Sequence, residues 1–167
     1  MESYMNRISN TGIVPVVKIL EKEDAYPLAK ALLNGGIDVI EVTYRSEHAT
    51  SAIQTISEQL PDMLVGAGTV LSVEQAKEAV EAGAKFIITP GFNTKVVQWC
   101  LDHDVEVYPG VSTASEVEMA LSMGLTQLKF FPAESSGGAK KLKDLSAPYA
   151  NVHFMPTGGI NTCLLYT

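Results

Sequence analysis

The chain has 167 residues, 46% of them apolar and 19% charged, which suits one globular domain with a real core and excludes a disordered chain. Its formal charge of −7 argues against nucleic-acid or anionic-membrane binding, although a local cluster of Lys or Arg in a cleft still admits small anionic substrates. Cys100 and Cys163 have no CxxC spacing, no apolar run follows the N-terminal charges, and no stretch approaches the ~20 residues that span a bilayer, so a soluble cytoplasmic protein without disulfides or structural zinc is expected.

Short apolar runs at 13–17, 39–43, 63–65, 86–88, 105–108, 128–131 and 153–155 read as strands. Between them, patterns over 24–35, 47–59, 72–82, 94–103, 113–123 and 138–146 read as helices, with apolar residues three and four apart, as at Ala29, Leu32 and Leu33. Gly35-Gly36, Gly83 and Gly124 stand where helices should stop, and Ser72 and Ser112/Thr113 where they should start.

One βα unit thus recurs roughly every 20–26 residues, the pattern of a parallel sheet flanked by helices. An open doubly wound sheet and a (β/α)8 TIM-type barrel both satisfy it. The barrel is favoured because Glu41, Thr43, Arg45, Gly66-Ala67-Gly68-Thr69, Pro90, Pro109, Lys129, Pro132 and Thr157-Gly158-Gly159 all fall at or just past strand C-terminal ends. An open sheet would concentrate such residues at one switch point. Seven strands are counted, and the stretch after Gly159 is too short for an eighth βα unit. Residues 1–167 are therefore expected to be a single barrel domain, truncated after strand seven.

Lys129 sits in Gln-Leu-Lys-Phe-Phe-Pro. It either points into the barrel mouth, where an amine kept from water can attack a carbonyl, or snorkels outward beneath a helix. Glu41, between Val39-Ile40 and Val42-Thr43, is a carboxylate inside an apolar strand, either a barrel-lining partner of Arg45 or Lys129 or a proton carrier. Arg45 offers a two-pronged grip on a carboxylate, or is a solvated loop arginine. Gly66-Ala67-Gly68-Thr69 reads as a tight turn that presents N–H groups and a hydroxyl to an anion, or as a plain turn with Thr69 or Ser72 as helix cap. Thr157-Gly158-Gly159 lets backbone amides approach a phosphate, and Lys18 adds charge nearby or lies exposed. His48, His103 and His153 form no ligand set, so no metal is expected, and Glu134 with Lys140 and Lys141 reads as a solvated helix-end charge pattern.

Taken together, Glu41-Val42-Thr43-x-Arg45, Val65-Gly66-Ala67-Gly68-Thr69-Val70, Pro90-Gly91, Tyr108-Pro109-Gly110-Val111, Lys129-Phe130-Phe131-Pro132-Ala133-Glu134 and Pro156-Thr157-Gly158-Gly159-Ile160 occur in order and at matching spacing. From about residue 8 to 160 the chain resembles the 2-keto-3-deoxy-6-phosphogluconate (KDPG) / 4-hydroxy-2-oxoglutarate (KHG) aldolases. The resemblance implies a homotrimeric (β/α)8 barrel with a class I mechanism, no cofactor and a keto-acid substrate such as pyruvate or a phosphorylated sugar acid. It implies Lys129 as the Schiff-base lysine, Glu41 as general acid/base, and Arg45 and Thr69 as carboxylate contacts. Thr157 would orient the substrate, Gly158 and Gly159 would line the phosphate end, and Lys18 would stand where relatives vary. Relatives continue with an eighth unit, and the stretch after Asn161 does not read as its first helix. A truncated product, an incomplete chain or a barrel closed by a partner chain would explain this. Two rival expectations are an inactive oligomeric or ligand-binding remnant, and a barrel using Glu41 for acid/base chemistry without an imine.

Overall fold

The computed structural model describes residues 4–161. They fall into two compact units, one running up to Ile88 and including Thr94–Val107, the other made of Thr89–Asn93 and the chain from Tyr108 onward.

The first unit contains α1 (Tyr4–Thr11), β1 (Val16–Val17), α2 (Ala25–Asn34), β2 (Val39–Thr43), α3 (Ala49–Gln59), β3 (Leu64–Gly68), α4 (Val73–Glu81), β4 (Phe86–Ile88) and α5 (Thr94–Asp102). β5 (Glu106–Tyr108) completes a sheet of order β1-β2-β3-β4-β5, in which β1–β2, β2–β3 and β3–β4 pair in parallel. Every residue of β2, β3 and β4 is buried, as expected of parallel strands covered on both faces. Ala25, Ala29, Ala52, Ile53, Ile56, Ala76, Ala79, Val96 and Val97 supply the buried helix faces. The alanines let the helices lie close to the sheet.

The second unit contains β6 (Gly110–Val111), α6 (Ala114–Ser122), β7 (Gln127–Phe130), α7 (Gly138–Ser146) and β8 (His153–Pro156), with parallel pairing in the order β6-β7-β8. Thr113 and Glu116 form a reciprocal capping box at the start of α6. Val111, Val117, Ala120, Leu128 and Val152 pack into its core.

The seven expected strands and six expected helices all occur, with differences that have physical causes. The strand expected at 13–17 shrinks to two residues, since Pro15 has no N–H to give a ladder and Gly12 turns at φ 74°. The 105–108 strand is followed by a separate pair of residues beyond Pro109, which donates nothing but accepts from the Lys129 amide at 2.9 Å. The expected glycine turn at 66–68 is instead the second half of β3. Gly66 and Gly68 stay extended because β2 pairs along them, Glu41 with Gly66 and Thr43 with Gly68. The sequence reading missed α1, which buries Ile8 and is tied down by tertiary bonds: Arg7 to Asp38 and the Asp62 carbonyl, and Thr11 to Asp38 at 2.5 Å. The stretch 162–167, expected not to start a helix, lies outside the described residues.

Candidate active site

Strand alternation explains the first group of residues. β2 sends Glu41 and Thr43 to one face, with Arg45 following in the same phase, while Val42 and Tyr44 take the other. Glu41 is 1% exposed, and a Cβ built on Gly68 would overlap its carboxylate, so the missing side chain at 68 is the space the carboxylate occupies. The fully buried Thr43 hydroxyl donates to the Val17 carbonyl at 2.7 Å and accepts from Arg45 Nε at 3.1 Å. Arg45 itself is exposed. Tyr44 points away and meets Thr50 Oγ1 at 3.1 Å; burial pushes its phenol above the ordinary value. Thr69, directly after Gly68, holds φ 55°, a left-handed conformation that a β-branched residue adopts only when its surroundings enforce it. The cap of α4 is Ser72, whose hydroxyl accepts from the Gln75 amide at 3.2 Å, so Thr69 is not the cap. Lys18 is exposed just past β1.

The second group gathers around β7. Leu128 packs with Val117 and Ala120 of α6, and Phe130 with Ala133 and, on α7, Ala139 and Leu142. Lys129 alternates with both and therefore faces away from these helices. It is 4% exposed, so it does not snorkel to water, and its Nζ lies 5.1 Å from the centre of the Phe131 ring. That contact is a cation–π interaction when the amine is protonated. Thr157, Gly158 and Gly159 fold onto the segment after β7. The Thr157 amide donates to the Phe130 carbonyl at 2.9 Å, the Ala133 amide to Thr157 at 2.8 Å, and the Glu134 amide to Gly158 at 3.0 Å. Glycine is required here because φ is 96° at 158 and 70° at 159, and a Cβ at 158 would press on the Phe131 ring.

Among the described residues, Glu41 and Lys129 are the two charged side chains that are buried. Burying charge costs several kcal/mol, on the order of the penalties for desolvated ions, so each position is one that packing alone would give to an apolar residue. Glu41, Thr43, Arg45 and Thr69 are neighbours in the first unit, and Lys129, Thr157, Gly158 and Gly159 in the second. Two contributors, Thr43 and Phe131, lacked a role in the sequence reading, and Gly68 was read only as part of a tight turn. The alternation Glu41, Thr43, Arg45 was the available signal for the first; the others depend on contacts between strands and loops. Of the histidines, His48 stands at the start of α3 without a side-chain capping bond, His103 stacks on Trp99 and His153 is exposed. Among the described residues no group of three or more His, Cys, Asp or Glu could hold a metal. Glu134 and Lys140 are exposed as expected, but Lys141 is half-buried and reaches Ser112 Oγ at 3.5 Å.

The family model for KDPG and KHG aldolases matches residues 4–165. A 2-dehydro-3-deoxy-phosphogluconate aldolase of Treponema pallidum is 47% identical over 96% of this chain and 77% of its own length. The KHG/KDPG aldolase of Escherichia coli K12 is 44% identical over 92% of the chain and 73% of its own. A solved KDPG aldolase of Legionella pneumophila, with pyruvate captured at low pH as a covalent carbinolamine intermediate, superposes with a TM-score of 0.88 at 42% identity, covering 92% of this chain and 74% of that one. Fold and site together define an enzyme of the TIM-barrel type, with parallel βα units that carry its polar residues at strand C-terminal ends. Within that class, the chain belongs to the KDPG/KHG aldolase family.

Proposed function

We propose that the chain is a class I aldolase that cleaves KDPG to pyruvate and glyceraldehyde 3-phosphate, KHG to pyruvate and glyoxylate, or both. The observation that carries this reading is the burial of Lys129 on the face of β7 turned away from the helices. Family membership and the carbinolamine held by the Legionella relative support it.

In the proposed reaction the Lys129 amine adds to the C2 ketone, giving a carbinolamine that loses water to an iminium. The C3–C4 electron pair then flows into the iminium as that bond breaks, leaving an enamine on pyruvate. Glu41, acting through a water, takes the C4 hydroxyl proton, so the departing fragment leaves as an aldehyde. Protonation of the enamine carbon and hydrolysis release pyruvate and return the amine. Arg45 and Thr69 hold the substrate carboxylate, which presents the ketone to Lys129 at near-attack distance. Thr157 orients the substrate, Gly158 and Gly159 receive its phosphate end, and Lys18 adds positive charge beside it. We further propose one catalytic domain spanning both units, a homotrimer, and a cytoplasmic setting; among the described residues no helix is long and apolar enough to cross a membrane.

Borohydride reduction in the presence of pyruvate, read by intact mass, tests the imine. One reduced pyruvate adduct should form on the native chain and vanish in Lys129→Ala. Glu41→Gln should still form the adduct while cleavage slows by about 10²-fold or more, the scale of a lost general acid/base. A folded chain that forms no adduct would refute the mechanism and favour a non-catalytic remnant. Cleavage without an adduct would favour acid/base chemistry alone.

A further inference from the structure

We propose that Thr43 is a positioning residue that aims Arg45 at the keto-acid carboxylate, so that the guanidinium grips it end-on through its two terminal nitrogens. This rests on the assignment of Arg45 as the carboxylate contact. A hydroxyl has one proton and two lone pairs. The Thr43 proton is committed to the Val17 carbonyl at 2.7 Å, which turns a lone pair toward Arg45 Nε at 3.1 Å. Thr43 is fully buried, so water does not reach the hydroxyl that joins the two bonds.

The backbone around Arg45 is held as well. Its amide donates to the Thr43 carbonyl at 2.8 Å, and the preceding Tyr44 amide donates to Gly68 at 2.8 Å. An exposed arginine ordinarily samples many rotamers, and binding must immobilise it at a cost in conformational entropy. Here the Nε–H is occupied before any ligand arrives. A side-on grip would use Nε and one terminal nitrogen; with Nε taken, the terminal pair remains for two parallel bonds to a carboxylate. β1 thus takes part in binding through the Val17 carbonyl, without touching the ligand.

The pyruvate concentration that half-saturates borohydride trapping, together with kcat and KM for cleavage, tests this in the full chain. Thr43→Val keeps the shape and removes the hydroxyl. It should raise half-saturation and KM about tenfold, the loss of one hydrogen bond to a charged group, with a much smaller change in kcat. Thr43→Ala removes the same hydroxyl without filling its place and should give the same rise, covering poor folding of the valine variant. Thr43→Ser should restore pyruvate affinity to within about twofold, which a purely structural role for the methyl group would not allow. In an Arg45→Ala background Thr43→Val should add nothing further, because the two act as one unit. If Arg45→Ala raises half-saturation while Thr43→Val and Thr43→Ala do not, the positioning role is overturned. If Arg45→Ala itself changes nothing, the carboxylate assignment fails and this inference falls with it.

Discussion

Gly68→Ala is the substitution whose consequence is read most directly from the packing. Gly68 stands opposite Thr43 in the register of β2 and β3, and a methyl there would enter the space of the Glu41 carboxylate and its γ-carbon. Its φ is outside the left-handed region, so alanine is acceptable to the backbone, and restricting the unfolded chain favours folding by about 0.4–1 kcal/mol. Overpacking a filled interior costs about 1–3 kcal/mol. The net is a destabilisation of about 1–2 kcal/mol, or a Tm lower by about 2–8 °C for a chain of this size. In a Glu41→Ala background the colliding atoms are gone, and the same change should be neutral or slightly stabilising. Gly91→Ala is the control, since nothing lies within 4 Å of its Cβ. Thermal and urea unfolding of the single and double variants measure the coupling, expected at about 2 kcal/mol. An equal loss from Gly68→Ala in both backgrounds would refute the claim that this glycine makes room for the carboxylate.

Two further outcomes rest on titration. Burial pushes the Cys100 thiol up to about 12, so the thiolate that alkylating reagents need is scarce near neutral pH. Cys100 should be labelled only as the chain unfolds, and rapid labelling of the native protein, read on its peptide by mass spectrometry, would contradict this. At Asp38, burial alone would raise the carboxyl, but the hydrogen bond from Thr11 and the Arg7 guanidinium outweigh it and hold the group below its usual 3.8. The stability this contributes is complete above 3.8 and is lost as pH falls through the lower folded value. With both side chains 38% exposed, it amounts to less than about 1 kcal/mol. Thr11→Val should therefore make urea midpoints fall less steeply as pH drops below 3.8, and an unchanged slope would remove Thr11 from that role.

Much of the candidate site could be read because it is local. Glu41, Thr43 and Arg45 lie two apart on one strand, and Lys129 interrupts the apolar run of another, patterns visible without any partner. Caps at Ser72 and Thr113 were legible for the same reason, since a cap is made by residues three apart. The Gly66-Ala67-Gly68 segment was misread because glycine-rich sequence favours turns, and nothing within it reveals that Phe86 and Glu41 need the space. Helix α1 was missed because a segment with Asn6, Ser9, Asn10 and Thr11 has weak helical propensity and a single buried residue, Ile8; its hold on Asp38, Asp62 and Glu106 comes from far along the chain.

By itself the sequence determined the order of the strands and of the helices after α1, the parallel βα class and which residues are candidates for the chemistry, because two- and 3.6-residue periods and cap spacings are properties of short segments. Tertiary structure alone decided that Lys129 turns from the helices, that Gly68 clears the Glu41 carboxylate, and that Thr43 joins Val17 to Arg45. Those facts depend on inter-strand register and on which face of each strand the helices cover, and both are set by contacts between residues distant in the chain.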